Sequence, residues 1–297
     1  MLAGGTGGAA LADGIRLVAP DTELTVIANT ADDDEFWGLL VCPDVDAVLY
    51  RLAGMFNHQA GYGVRDDTFH VLDALARFGE DTWFRIGDKD FATHIARRDL
   101  MEQGCTLTAA ILELGKRLGV QARVLPMTND RVRTRFATDA GELSFQEYFV
   151  REHLRPQLEG IHFEGIEHAK PSPEVVAALR DANAVIIGPS NPLISVEPIL
   201  RVLGDILVRE RTIAVTPIVS GAALKGPTVE MMRAMRHAPN PIEVARMYRS
   251  VASTFVLDEK DDKSWAAIEG LGYRVIVTDT VMRDGGRALA SALLRHV

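Results

Sequence analysis

"MLAGGTGGAALADGI" (residues 1–15) sets Gly4, Gly5, Gly7 and Gly8 around one threonine, Thr6, and passes directly into an alanine-rich stretch of helical character. Strand, glycine turn and helix in that order open a βαβ unit, so this stretch argues for a parallel sheet. Such a turn also exposes backbone N–H groups at the positive end of a helix, where a phosphate can sit. The bland alternative is a tight turn that only glycine can make. Phosphate contact through Gly5, Thr6, Gly7 and Gly8 is the reading preferred here. The spacing Gly5-x-Gly7-x-x-Ala10 is a relaxed dinucleotide fingerprint, which is weak evidence alone. That fingerprint calls for an acidic ribose ligand about 20 positions further on. The next strand instead ends on Asn29, and no Gly-Lys-Ser/Thr follows the glycines. The loop therefore suits a phosphate better than a nicotinamide cofactor.

Working outward, apolar runs alternate with amphipathic ones, the pattern of a parallel sheet covered by helices. Residues 23–29, 123–127, 183–188, 212–218 and 273–279 read as buried strands. Residues 70–79, 106–119, 172–182 and 241–252 read as helices, several ending on glycine. Residues 126–152 differ: short alternating runs and a turn at Asp139-Ala140-Gly141 predict an antiparallel hairpin beside the main sheet. The expected fold is one α/β domain over residues 1–297. Its mostly parallel sheet carries helices on both faces, with an inserted α+β segment over roughly 55–170. Met1 stands only three residues before Gly4, so the first strand must be very short, which leaves open a true start further upstream.

The chain has 297 residues, 47% of them hydrophobic and 25% charged, with a formal charge of −9. This is ordinary globular composition, long enough for a sizeable core. The acidic balance argues against a nucleic-acid partner. No run reaches the roughly 20 apolar residues of a membrane span, and a basic leader is missing. Cys42 and Cys105 lie far apart outside any metal or redox motif, which suits a reducing cytoplasm.

Carboxylates crowd the stretch after Asn29: Asp32, Asp33, Asp34, Glu35, Asp44 and Asp46. Beside a phosphate site they would repel the substrate unless a cation intervened, and oxygen ligands without histidine favour Mg²⁺. Asp32, Asp33 and Asp44 are the metal candidates, while Asp34 and Glu35 read as a solvated acidic turn. "RIGDKDFATHIARR" (85–98) gathers Arg85, Asp88, Asp90, His94 and Arg97 around a helix start, where a solvated helix face is an equally good account. "IIGPSNPLIS" (186–195) is a proline-stiffened loop that places Ser190 and Asn191 beyond a strand's carboxyl end, where open α/β sheets bind ligands. Ser220, Gly221 and Lys225 are weaker candidates of the same kind.

Several stretches, in order along the chain, resemble the 2-phospho-L-lactate transferase family of coenzyme F-420 biosynthesis. They are "GGTGG" (4–8), Asn29-Thr30, Asp32-Asp33, "GLLVCPDVD" (38–46), "DDTF" (66–69), "GDKDFATHIAR" (87–97), "FQEYFV" (145–150), "GPSNP" (188–192), "KGP" (225–227) and Met282. Any one is modest, but the ordered set is specific. The resemblance implies a Rossmann-like fold and a homodimer. It also implies Mg²⁺-dependent transfer of a phospho-acyl group from a guanosine-diphosphate-linked donor to the ribityl hydroxyl of a deazaflavin alcohol, releasing GMP. A guanylyltransferase would supply the donor. On this reading Gly5, Thr6, Gly7, Gly8, Asn29, Ser190 and Asn191 hold the nucleotide diphosphate. Asp32, Asp33 and Asp44 hold the metal. Asp46, Arg85, Asp88 and His94 meet the deazaflavin, and Asp33 or Asp46 orients or deprotonates the attacking hydroxyl. The chain departs from the family at Ala10, where many members carry a cation, at Asp34-Glu35, and at Thr128-Asn129-Asp130. These departures favour a donor other than phospholactate, with phosphoenolpyruvate and 3-phosphoglycerate as the other candidates. Competing readings are a nicotinamide oxidoreductase, resting on loop spacing alone, and a non-catalytic deazaflavin or nucleotide carrier.

Overall fold

The first fourteen positions after Gly4 are helical from Gly5 onward, so the glycines form the first turn of a helix and not a loop ahead of it. The structure is a computed structural model and describes residues 1–224 and 226–297. Lys225, one of the weaker candidates, lies outside them. Strand β1 (Leu2–Ala3) leads into α1 (Gly5–Val18), and the chain returns as β2 (Thr25–Ala28). A hairpin of β3 (Asp34–Phe36) and β4 (Leu39–Val41) follows. Helices α2 (Pro43–Leu52), α3 (His70–Arg77), α4 (Asp88–Glu102) and α5 (Leu107–Arg117) precede β5 (Arg123–Pro126). Then β6 (Arg133–Thr138), β7 (Gly141–Ser144) and β8 (Leu158–Glu164) form a small antiparallel sheet. The main alternation resumes with α6 (Pro173–Asp181), β9 (Val185–Ile187), α7 (Glu197–Leu203) and β10 (Thr212–Val215). A two-stranded ribbon of β11 (Ile218–Val219) and β12 (Ala222–Ala223) leads to α8 (Thr228–Ala234) and α9 (Pro241–Tyr248). The chain closes with β13 (Thr254–Asp258), α10 (Trp265–Glu269), β14 (Arg274–Thr278) and α11 (Arg287–Leu294).

The central sheet has seven strands in the order β14-β13-β10-β9-β1-β2-β5, and every pairing in it is parallel. This is the Rossmann-like architecture. Strands progress outward from β1 to β5 on one side and from β9 to β14 on the other, so the order reverses between β1 and β9. Ligands of open parallel sheets bind outside the strands' carboxyl ends at such a reversal. The chain leaving β1 there is the glycine turn, and the chain leaving β9 is Gly188–Asn191.

Alternate residues of each strand serve opposite layers, as the period of two demands. Ala3, Val26, Ala28, Val124, Ile213, Val215 and Val256 pack under α1, α2, α5 and α11. Leu2, Ile27, Leu125, Ala214, Phe255 and Leu257 face α6, α7, α9 and the small sheet. The strand expected over 212–218 stops at Val215. Pro217 has no N–H to continue it, and the Thr216 hydroxyl closes a local turn on Ile218. Strand β13 was not anticipated, although its Phe255, Val256 and Leu257 are wholly buried. Asp34 and Glu35 sit on a hairpin strand where a turn was expected, and Glu35 is exposed. The hairpin turns through Trp37 and Gly38, both at positive φ, as a two-residue loop requires. Strand β5 belongs to the central sheet although it falls inside the stretch 55–170. Among the described residues, no helix is long and apolar enough to cross a membrane.

Candidate active site

The carboxyl end of β2 carries the most unusual burial in the molecule: Asn29, Thr30, Asp32 and Asp33 are all 3% exposed or less. Asn29 is the hub. Its Nδ2 donates to Asp32 Oδ2 at 2.9 Å and to Asp44 Oδ2 at 3.0 Å, and its Oδ1 accepts from the Ala31 N–H at 2.9 Å. The Thr134 hydroxyl of β6 donates to Asp32 Oδ1 at 2.6 Å. Burial raises the Asp32 carboxyl well above the usual range, with the Asp44 charge adding to it, and burial pushes Asp44 up to about 7. Asp33 turns away toward Cys42, with the Arg133 and Arg97 charges acting on it. Burial lifts it to about 8, and its Oδ1 is buried without a hydrogen-bond partner among the described residues. Asp32 and Asp44 are therefore brought together, and Asp33 stands apart from them.

The glycine turn is held by close contact with the chain leaving β9. A Cβ on Gly4 would lie 2.1 Å from Ser195 Cβ, and one on Gly7 would lie 2.4 Å from the Pro189 carbonyl oxygen. Gly5 takes φ +63°, and its Cα faces Asp44 Oδ1. Ser190 Oγ accepts from the Gly4 N–H at 3.3 Å, and Asn191 Oδ1 accepts from the Leu193 N–H at 3.0 Å. Gly4, Gly7 and Gly8 are thus required by packing, the last against Ala3, and Gly5 by its positive φ beside Asp44; Gly5 and Thr6 line the cavity described below. Ala10 is buried, and its carbonyl lies against the Gly286 turn.

"DDTF" and "GDKD" cap one another's helices. Asp67 Oδ1 accepts from the Lys89 N–H at 2.8 Å and Oδ2 from the Asp90 N–H at 3.2 Å, at the start of α4. Asp88 in return accepts from the Val71 N–H at 2.9 Å and the His70 N–H at 3.1 Å, at the start of α3. Those hydrogen bonds, led by one from the Thr68 hydroxyl, hold the Asp88 carboxyl below its usual range. Asp88 is committed to this cap. The same helix delivers Asp90, His94 and Arg97 to a buried network. Arg97 is fully buried, paired with Asp46, and donates to the Leu40 carbonyl at 2.9 Å. Burial works against its charge, but the surrounding anionic and polar groups, Asp46 foremost, together more than offset that and raise its pKa. Tyr50 Oη donates to Asp90 Oδ1 at 2.6 Å, and Arg97 Nη1 lies 3.3 Å from His94 Nδ1. Asp46, Asp90 and His94 offer ligand atoms within 4.8 Å of one another. The Arg97 guanidinium already neutralises Asp46, so this group reads as a hydrogen-bonded relay and not a metal centre.

A cavity of about 530 Å³ joins these parts, a size usual for small-molecule sites. Gly5, Thr6 and Asp44 line it, together with Asp46, Tyr50, Asp90 and His94. Its aromatic lining comes from two segments, Trp83 and Phe84 on one and Phe145 and Phe149 on the other. Phe84 stacks on Phe36 with centroids 4.0 Å apart, and Phe145 on Phe149 at 4.3 Å. Arg85 also lines the cavity and lies over the Phe69 ring, 4.3 Å from its centroid. Arg151, on a π-helical turn (Glu147–Arg151), reaches Asp81 at 3.3 Å and covers Trp83 at 5.6 Å, tying the two aromatic segments together. Of the residues expected from sequence, Gly5, Thr6, Asp44, Asp46, Arg85 and His94 line the cavity. Gly7, Gly8, Asn29, Asp32, Asp33, Asp88, Ser190 and Asn191 are not among its lining residues. Sequence reasoning missed Tyr50, Trp83, Phe84, Phe145, Phe149 and Arg151. The aromatic pairs at 83–84 and at 145 and 149 were the available signal.

Residues 1–284 match the family described as 2-phospho-L-lactate transferase CofD. A 2-phospho-L-lactate transferase of Methanopyrus kandleri is 42% identical over 291 residues, covering 96% of this chain and 92% of that protein. One of Methanosarcina barkeri is 37% identical, covering 95% and 92%. A phosphoenolpyruvate transferase of Streptomyces griseus is also 37% identical, covering 98% and 95%. Among solved structures, a UPF0052 family protein of Bacillus halodurans superposes with a TM-score of 0.61 at 17% identity, covering 99% of this chain and 97% of that one. That likeness concerns the fold alone.

Proposed function

The chain belongs to the 2-phospho-L-lactate transferase family, and from that membership we propose that it is a transferase of F-420 biosynthesis. It moves a phospho-acyl group from a guanosine-diphosphate-linked donor to the ribityl hydroxyl of a deazaflavin alcohol, and GMP leaves. The observation that carries this reading is the cavity itself. One space is lined both by the first turn of α1 with the carboxylates Asp44, Asp46 and Asp90, and by the aromatic rings of Trp83, Phe84, Phe145 and Phe149. A helix N-terminus suits a diphosphate, and facing aromatic rings suit a planar tricycle. A nicotinamide enzyme would need a ribose carboxylate where Asn29 stands, buried and committed to Asp32 and Asp44.

Mg²⁺ fits the residues present. Asp44 and Asp32 offer hard oxygens on one amide hub, and burial raises the pKa of both, a cost that a divalent cation would offset. Asp44 and Asp32 would hold the ion. When bound, it would neutralise phosphate charge as the transfer proceeds. Asn29 fixes the two carboxylates, and the N–H groups of Gly5 and Thr6 orient the diphosphate. Arg85 and the aromatic walls position the acceptor and exclude water. A homodimer, a guanylyltransferase that supplies the donor, and a cytoplasmic setting complete the proposal.

The test is direct. Purified protein, Mg²⁺ and the deazaflavin alcohol are incubated with guanosine-diphosphate adducts of phospholactate, phosphoenolpyruvate and 3-phosphoglycerate in turn. Mass detection of a coupled product with equimolar GMP is the expected result, with a donor other than phospholactate favoured. Absence of product with all three overturns the reading.

A further inference from the structure

We propose that Asp90 accepts the proton of the attacking hydroxyl, a role that rests on the transfer reaction proposed above. The argument is geometric. Asp90 lies in the first turn of α4 and lines the cavity. Its Oδ1 accepts from Tyr50 Oη at 2.6 Å and faces His94 Nε2 at 3.3 Å. Its Oδ2 makes no hydrogen bond among the described residues and lies toward Gly63, which also lines the cavity. One oxygen is held, and the other is free.

The other carboxylates and the histidine are committed elsewhere. Asp46 is paired with Arg97 through Oδ1, and its Oδ2 accepts from the Cys42 N–H at 3.4 Å. Asp44 is bound by Asn29 and belongs to the proposed metal site. Asp33 does not line the cavity. Arg97 has donors only, so His94 Nδ1 accepts from it and the ring proton sits on Nε2, leaving no lone pair for a substrate proton. Burial, with Arg97 beside it, holds the His94 pKa well below its usual value, which keeps the ring neutral.

In the step, the hydroxyl oxygen forms a bond to the phosphorus that bears the acid. The bond from that phosphorus to the GMP oxygen breaks, and GMP leaves with the electron pair. The hydroxyl proton passes to Asp90 Oδ2 and is later released to solvent. The groups facing Asp90 are Asp46 and Tyr50 from α2, His94 and Arg97 from α4, and Asp67 from the chain before α3. Burial, reinforced by the Asp46 charge, raises Asp90 to about 7 against the Tyr50 hydrogen bond. A base works best with a pKa near the working pH.

The experiment compares wild type, Asp90→Asn and Tyr50→Phe as full-length proteins with Mg²⁺, the deazaflavin alcohol and the preferred donor. It reads kcat and KM from acid to mildly alkaline pH, and deazaflavin affinity from the ligand's own fluorescence. Wild-type kcat is expected to rise through about pH 7. Asp90→Asn is expected to lose about 10²–10⁴-fold in kcat while binding the deazaflavin as wild type does. Tyr50→Phe, which removes a hydrogen bond to the carboxylate, is expected to move the rise to higher pH. Asp90→Asn with wild-type kcat, an equal loss of deazaflavin binding, or an unmoved rise in Tyr50→Phe each overturns the role. Turnover by wild type beside an active Asp90→Asn rejects Asp90 alone, whereas no product from wild type rejects the transfer reading and this role with it.

Discussion

Asp32 and Asp44 accept hydrogen bonds from the same nitrogen, Nδ2 of Asn29, at 2.9 and 3.0 Å. A buried and a half-buried carboxylate held on one donor are pulled together against their own repulsion. Asn29→Ala therefore leaves both without that donor, at a cost of about 1–3 kcal/mol in unfolding free energy. It also frees the pair to separate, so Mg²⁺ affinity falls by about 10–100-fold. Urea unfolding and metal titration measure the two effects. A variant with wild-type metal affinity removes Asn29 from this role.

The carboxylates also set a pH dependence. In the fold Asp33 is raised to about 8 and Asp44 to about 7, against about 3.9 for an unfolded aspartate. The native state holds protons that the unfolded chain has released, so metal-free stability falls as pH rises from about 4, until pH passes the folded values. Asp44→Asn removes one such charge. At pH about 8 the metal-free variant melts above metal-free wild type, by about 2–4 °C per kcal/mol. Mg²⁺ raises the wild-type melting temperature and leaves that of the variant nearly unchanged. Equal Mg²⁺ shifts in both proteins exclude Asp44 as a ligand.

Gly7 faces the Pro189 carbonyl so closely that a Cβ would stand 2.4 Å from its oxygen. Gly7→Ala must push the α1 start and the chain after β9 apart, at an overpacking cost of about 1–3 kcal/mol. The shift opens the crevice between β1 and β9, so the apparent KM for the donor rises as well. Chemical denaturation and donor titration check both, and a variant equal to wild type in each shows that the contact yields freely.

The alternation of buried strands and amphipathic helices was legible because each strand faces a helical layer on both sides, which makes its whole run apolar. "TFVLD" (254–258) escaped because it follows closely on the helix read over 241–252, and only residues 249–253 separate the two elements. The carboxylate cluster was legible as composition but not as geometry. Neighbours such as Asp32 and Asp33 point to different partners, Asn29 and Thr134 for one, Cys42 and Arg97 for the other. The family's ordered motifs located the site, yet several of their residues serve as scaffold. Asp88 and Asn191 cap helical turns, and Gly4 and Gly7 let two chain segments cross. Asp90 and Tyr50 meet only because α2 and α4 pack together, from positions 40 residues apart, a distance no local pattern spans.

The mutual caps of Asp67 and Asp88 have a consequence for how such a protein changes over time. Everything between them, α3 and the segment bearing Trp83, Phe84 and Arg85, is an excursion cinched at a single neck, with Gly87 pressed against the Asp67 carboxylate. Asp90, whose N–H closes the knot, and His94 and Arg97 beyond it lie on a helix anchored to the core through Asp46. The aromatic segment proposed to meet the acceptor and the groups proposed to handle its proton are separate modules on one short piece of chain. Substitutions within the excursion can reshape the slot for a different ring system while the chemistry behind it stays in register.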